Sequence, residues 1–149
     1  FVIEGVAQTI SELGLDDPVI GETAVLKLDQ VQHLWTPVTA TLQPSITDHN
    51  IIDRLHPTPA VGGTPRNEAL KLIRELENFE RGYYAAPIGY ISSARAEFAV
   101  GIRALVVAGR KVSVFTGAGI VQGSDPEDEW CELNSKDILK SYSTESRPR

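Results

Sequence analysis

The sequence predicts an α+β fold, an antiparallel β-meander with helices packed beside it. Three apolar, β-rich runs, 84–91, 97–107 and 111–121, follow one another through the short links SSARA and AGR, which are hairpin-sized. Three other stretches repeat apolar residues at helical spacing, around 3–13, 45–55 and 65–79. With 149 residues, 42% of them hydrophobic, the chain is long enough to bury a core as one domain or one large piece of a domain. A net charge of -6 disfavours nucleic acid, which needs a basic face, and no apolar run reaches membrane-spanning length. Nothing at the start reads as a signal peptide. The lone Cys131 excludes an internal disulfide and fits a reducing compartment, the cytoplasm or a plastid stroma.

Ile3, Val6, Ala7, Ile10 and Leu13 mark the first helix, which stops at Gly14. The chain holds no methionine and begins at Phe1, with no capping residue ahead of that helix, so the helix is expected to enter from residues further upstream. Thr23 to Leu42 reads as two strands with a break near Asp29 to His33. His33, isolated between strands, is expected to be a packed histidine before it is a ligand. Ser45 or Thr47 caps a helix that turns Ile51, Ile52 and Leu55 inward.

The segment HPTPAVGGTP, residues 56–65, is expected to be neither helix nor central strand, because three prolines remove donors and two glycines loosen the backbone. It reads equally as a connecting loop and as a wall against which a ligand lies, with Ala60 and the glycines leaving room. The next helix spans Pro65 to Phe79 with Ala69, Leu72, Ile73, Leu76 and Phe79 on one stripe.

In the middle strand of the meander, Phe98, Val100, Ile102, Ala104 and Val106 share one face and Arg103 interrupts the other. A snorkelling arginine at a sheet edge explains that charge. A turn centred near Gly109 and Arg110 instead sets Arg103 opposite Phe115 or Thr116, beside Gly117. The chain then opens a helix with strong start signals: Asp125 as cap, Pro126 at the first position, Glu127 and Asp128 at the positive end of the dipole. Glu129, Glu132 and Lys136 are not needed for initiation and lie one turn apart on one face, away from Trp130 and Leu133.

Two readings compete for that face. It is a solvated surface whose Glu132 and Lys136 pair contributes about 0.3 to 0.5 kcal/mol, or it is a site in which carboxylates hold a hard divalent cation and a lysine meets an anion. Arg103, exposed N–H groups near Gly117 and Gly119, and the two carboxylates would suit a small dicarboxylate with a metal. A dinucleotide loop fits poorly, because the glycines of GAGIVQG are spaced GxGxxxG and the helix begins only at Pro126.

LHPTPAVGGTP, RGYYAAPIGY, EFAVGIRA and FTGAGIVQGSDPEDEW followed by Glu132 and Lys136, with QHLWT at 32–36, together resemble the C-terminal half of isochorismate synthases among chorismate-utilising enzymes. The resemblance covers residues 1–140, as the C-terminal part of a chorismate-binding domain, and leaves 141–149 as a tail expected to be disordered. It implies an α+β fold with two antiparallel sheets and Mg²⁺-dependent conversion of chorismate to isochorismate. By resemblance, Glu132 is a Mg²⁺ ligand and Glu129 touches the metal or its waters. Arg103 and the Gly117 backbone bind one substrate carboxylate, Lys136 meets the other end of the anion, and Ala60 and Tyr84 line the pocket.

The family's water-activating lysine, its general-acid glutamate and a further Mg²⁺ glutamate belong to the preceding half, so no catalytic acid or base is expected within this chain. The implied partners are chorismate and that N-terminal half of the same enzyme. A catalytically inactive remnant or interaction module is the alternative. Ala86 and Leu133 depart from the family's usual glycine and threonine at those positions.

Overall fold

The computed structural model describes residues 1–15, 17–27 and 32–135. The chain divides into two compact units, Phe1–Asn78 and Phe79–Arg149.

In the first unit, α1 spans Val2–Glu12 and ends where Gly14 takes φ 70°, a conformation glycine adopts without the cost a side chain brings. Its Ile10 is the buried apolar residue of this unit among the described residues. Strand β1 (Val19–Ile20) pairs antiparallel with β4 (Val38–Thr39), and β2 (Ala24–Lys27) pairs antiparallel with β3 (Gln32–Trp35). His33 stands inside β3 opposite Leu26 instead of in a break between strands, and residues 28–31 lie outside the described residues.

Helix α2 (Asp48–Leu55) opens on a full capping box, in which the Thr47 hydroxyl accepts from the Asn50 N–H and the Asn50 side chain accepts from the Thr47 N–H. The 56–65 segment does contain a turn of helix, α3 (Pro59–Gly62), contrary to the expectation from its prolines. Pro59 occupies the first helical position, where a missing N–H costs nothing. α4 (Arg66–Leu76) follows and stops earlier than Phe79, because Glu77 is already extended. Ala69, Leu70 and Ile73 form its covered side while Leu72 and Leu76 are exposed, so the inward stripe is rotated from the expected one.

In the second unit, β5 (Pro87–Ile91) pairs with β6 (Ala96–Val100) and β7 (Ala104–Ala108) pairs with β8 (Lys111–Phe115), both antiparallel. The described sheets are thus separate two-stranded ribbons, and the expected meander is interrupted. The expected single strand 97–107 is broken at Gly101 to Arg103. The Gly101 N–H donates to the Ala86 carbonyl and the Gly101 carbonyl accepts from the Ala85 N–H, each at 2.8 Å, which pulls the chain out of line. Arg103, at φ 49°, then turns it into β7, so the face shared by Phe98 and Val100 does not continue to Ala104.

Tyr84 likewise lies in a turn ahead of β5 instead of within a strand, followed by Ala85, which is buried. The loop Gly109–Arg110 is the two-residue turn expected from the sequence, with Gly109 at φ 59° and Ala108 facing Lys111. α5 (Pro126–Ser135) closes the described chain.

Candidate functional site

The start of α5 is built as its sequence requires. The Asp125 carboxylate accepts from the N–H groups of Glu127 at 3.0 Å and Asp128 at 3.2 Å, satisfying two of the orphan donors. Glu129 and Glu132 follow one turn apart on this helix. Glu129 is half-buried and Glu132 exposed, while Trp130, expected to share a stripe with Leu133 away from Glu129, is 62% exposed. Leu133, four residues after Glu129, is the other half-covered residue of that side, so the helix turns its Glu129–Leu133 edge inward.

Ahead of the helix the chain brings Tyr84 and Gly117 together. The Tyr84 ring stacks on Phe115 with centroids 5.5 Å apart and planes 13° off parallel, and the Arg81 guanidinium lies 5.6 Å from its centroid. Phe79 packs against the same Phe115 at 5.9 Å. Held this way, the Tyr84 hydroxyl sits so close to Gly117 that a Cβ there would overlap it. Among the described residues nothing beyond its chain neighbours comes within 4 Å of where a Gly119 Cβ would be. The ladder ends at Ala104 opposite Phe115, and Arg103, at φ 49°, is the residue that leads into that last pair.

The sequence-derived residues therefore divide. Tyr84 and Gly117 meet, Arg103 and Gly117 flank the same ribbon end, and Glu129 and Glu132 share α5. Ala60 belongs to the first unit, exposed within α3. Lys136 and the tail 141–149 lie outside the described residues. Among the described residues no three His, Cys, Asp or Glu side chains converge as a metal cluster.

The first unit holds a cavity of about 670 Å³ that periodicity could not reveal. Its lining includes Glu12, Asp53, Arg54 and Arg66, and Arg54 reaches Glu12 at 3.1 Å across 42 positions of sequence. Beside it, the Arg66 guanidinium donates to the Arg54 carbonyl at 2.9 Å and to the His56 carbonyl, closing the C-terminus of α2. Burial, and then the Arg66 charge, hold the His56 imidazole below its ordinary pKa of 6.5.

The profile of the family described as "Chorismate binding enzyme" matches residues 1–139. The chain belongs to the chorismate-binding enzyme family. Its similarities within this family include isochorismate synthases and, at 36% identity over 121 residues, an anthranilate synthase component 1 of Saccharolobus solfataricus. It is 46% identical over 126 residues to isochorismate synthase 2, chloroplastic, of Arabidopsis thaliana, covering 83% of this chain and 22% of that protein. The solved structure of MenF, the menaquinone-specific isochorismate synthase from Escherichia coli, superposes with a TM-score of 0.83 at 37% identity, over 91% of this chain and 31% of that one. A putative 2,3-dihydroxybenzoate-specific isochorismate synthase, DhbC from Bacillus anthracis, gives a TM-score of 0.87 at 32% identity, over 97% of this chain and 40% of that one.

The α+β architecture is thus the chorismate-utilising enzyme fold, and this chain spans well under half the length of each of these relatives. No described helix of this family member is long and apolar enough to cross a membrane.

Proposed function

We propose that this chain supplies the substrate- and metal-holding part of an isochorismate synthase, which carries out the Mg²⁺-dependent isomerisation of chorismate to isochorismate. The observation that carries this reading is the end of the β7–β8 ribbon, where the Tyr84 hydroxyl lies against Gly117 and Arg103 immediately precedes Ala104, the partner of Phe115. A hydroxyl, a guanidinium and an open backbone beyond Gly117 form a donor set for a carboxylate. Arg103 and the Gly117 N–H would take one carboxylate of the dianion and Lys136 the other, with Tyr84 as pocket wall.

Glu132 and Glu129 fit Mg²⁺, which is often held by one or two carboxylates while it keeps several waters. When bound, the ion supplies neutralisation of substrate charge. The part of this chain is to bind and orient, and the water-activating lysine and the general acid are assigned to the portion of the enzyme that it does not match. A chain spanning 22% to 40% of its relatives also favours a second reading, an inactive remnant or interaction module with the same partial fold.

Calorimetric titration of chorismate into the chain, with and without Mg²⁺, tests the first reading. Binding strengthened by Mg²⁺ in the natural chain and indifferent to Mg²⁺ in Glu132→Gln is expected, with Arg103→Ala weakening chorismate in both conditions. Equal affinities in all three proteins would remove the site and leave the module.

A further inference from the structure

The Tyr84 hydroxyl owes its place at Gly117 to side chains that the proposed site does not use. Its ring stacks on Phe115, with centroids 5.5 Å apart and planes 13° off parallel, and the Arg81 guanidinium lies 5.6 Å from the same ring's centroid. Phe79 packs on Phe115 as well, at 5.9 Å and 44°. Phe79 and Tyr84 thus hold one phenyl ring from the two ends of a short segment. That segment reverses at Gly82, with φ 54°, and is closed by the Tyr84 N–H donating to the Arg81 carbonyl at 2.8 Å. It is tied down beyond the rings too: the buried Ala85, at φ 60°, donates its N–H to the Gly101 carbonyl at 2.8 Å.

Phe115 is itself held by the backbone. It closes the β7–β8 ladder opposite Ala104, and Gly117 follows it on the same strand end. A tyrosine ring turns about two torsions, and stacking on a face that the ladder immobilises restricts both. The hydroxyl at the ring's tip is then set relative to the Gly117 backbone before any ligand arrives. A ring free to turn would have to be ordered on binding, which weakens whatever it binds.

We propose that Phe115 is a positioning residue: without touching substrate, it locks the Tyr84 ring so that the hydroxyl meets the carboxylate taken at the Gly117 backbone. Arg81 and Phe79 serve the same clasp, one against the Tyr84 ring and the other against Phe115. The proposal rests on the reading of this chain as the chorismate-holding part of an isochorismate synthase, and it names the side chain that gives that end its shape.

The test pairs chorismate affinity, by calorimetry with Mg²⁺, with the NMR signals of the Tyr84 ring, assigned by their loss in Tyr84→Phe. Tyr84→Phe is expected to weaken chorismate about tenfold, as the loss of one hydrogen bond to a charged group does. Phe115→Leu should weaken it by a similar factor, and in that background Tyr84→Phe should cost no more than about twofold, because the hydroxyl is already out of place. The Tyr84 ring signals, displaced by the stacked phenyl, should return towards those of free tyrosine in Phe115→Leu. Phe115→Tyr, which keeps the stack, should restore both readings, and Thr47→Ala, which removes a helix cap in the first unit, should leave both unchanged. Phe115→Met carries the same expectations if Phe115→Leu does not fold. Three results overturn the positioning: ring signals unmoved in Phe115→Leu or Phe115→Met, no effect of Tyr84→Phe on a chain that binds chorismate, or the full Tyr84→Phe loss in the Phe115→Leu background. The reading beneath it fails separately. A natural chain that binds no chorismate sinks the substrate end, while ring signals that move in Phe115→Leu and return in Phe115→Tyr keep the clasp.

Discussion

The two glycine-bearing loops of this molecule, 56–65 in the first unit and 116–125 in the second, lead into helices by opposite means. The first is fastened from several sides. Arg66 bonds the carbonyls of Arg54 and His56, and a Cβ on the buried Gly62 would stand 2.8 Å from Pro57 Cγ. The second is fastened at its ends, by Tyr84 against Gly117 and by the Asp125 cap, while Gly119 between them has open space. A loop walled by proline rings can act as a surface, whereas one open in the middle can admit a ligand to its N–H groups.

Glycine-to-alanine substitutions sharpen that contrast. Gly62→Ala should have the largest effect, a loss of about 3 kcal/mol in chemical denaturation, because the methyl meets rigid Pro57 instead of a mobile side chain. Gly117→Ala should cost about 1 to 2 kcal/mol, since its neighbour is the far end of a tyrosine. Tyr84→Phe in the same chain should recover most of that loss, and failure to do so would break the assignment of Tyr84 to this contact. Asp125→Ala should remove about 1 kcal/mol through the lost cap, read by the same unfolding curves.

A smaller effect is expected from His56. The folded protein holds this imidazole neutral below its ordinary pKa of 6.5, while the unfolded chain takes up a proton there. The stabilisation is therefore fully present above about pH 6.5 and is lost as the pH falls below it toward the folded value. His56→Gln should flatten the unfolding midpoint between pH 7 and about pH 5.5. Gly119→Ala should be the mildest, within about 0.5 kcal/mol. A large loss there would show that the second loop is as closely packed as the first.

What the sequence made legible was local. The Asp125–Pro126 start of α5, the Gly109–Arg110 turn and the Thr47 cap are each specified by residues within a few positions, and each stands where its residues put it. The break at Gly101 was not legible, because apolar residues continue across it and the carbonyl that redirects it belongs to Ala86. The exposed Trp130 follows from the same limit: helical spacing groups it with Leu133, but only packing decides which edge of α5 is covered. Of the site, Tyr84 with Gly117 needed a ring stack that no spacing encodes, and Ala60 belongs to a different unit from the other described candidates.

The tight Gly109–Arg110 turn acts as a ruler for the far end of its ribbon. Because strand side chains alternate, lengthening that loop by one residue would shift Phe115 past Ala104 and turn the approach to Gly117 onto the ribbon's other side. Loop length at this remote tip thereby decides which side of the ribbon's far end each following residue occupies.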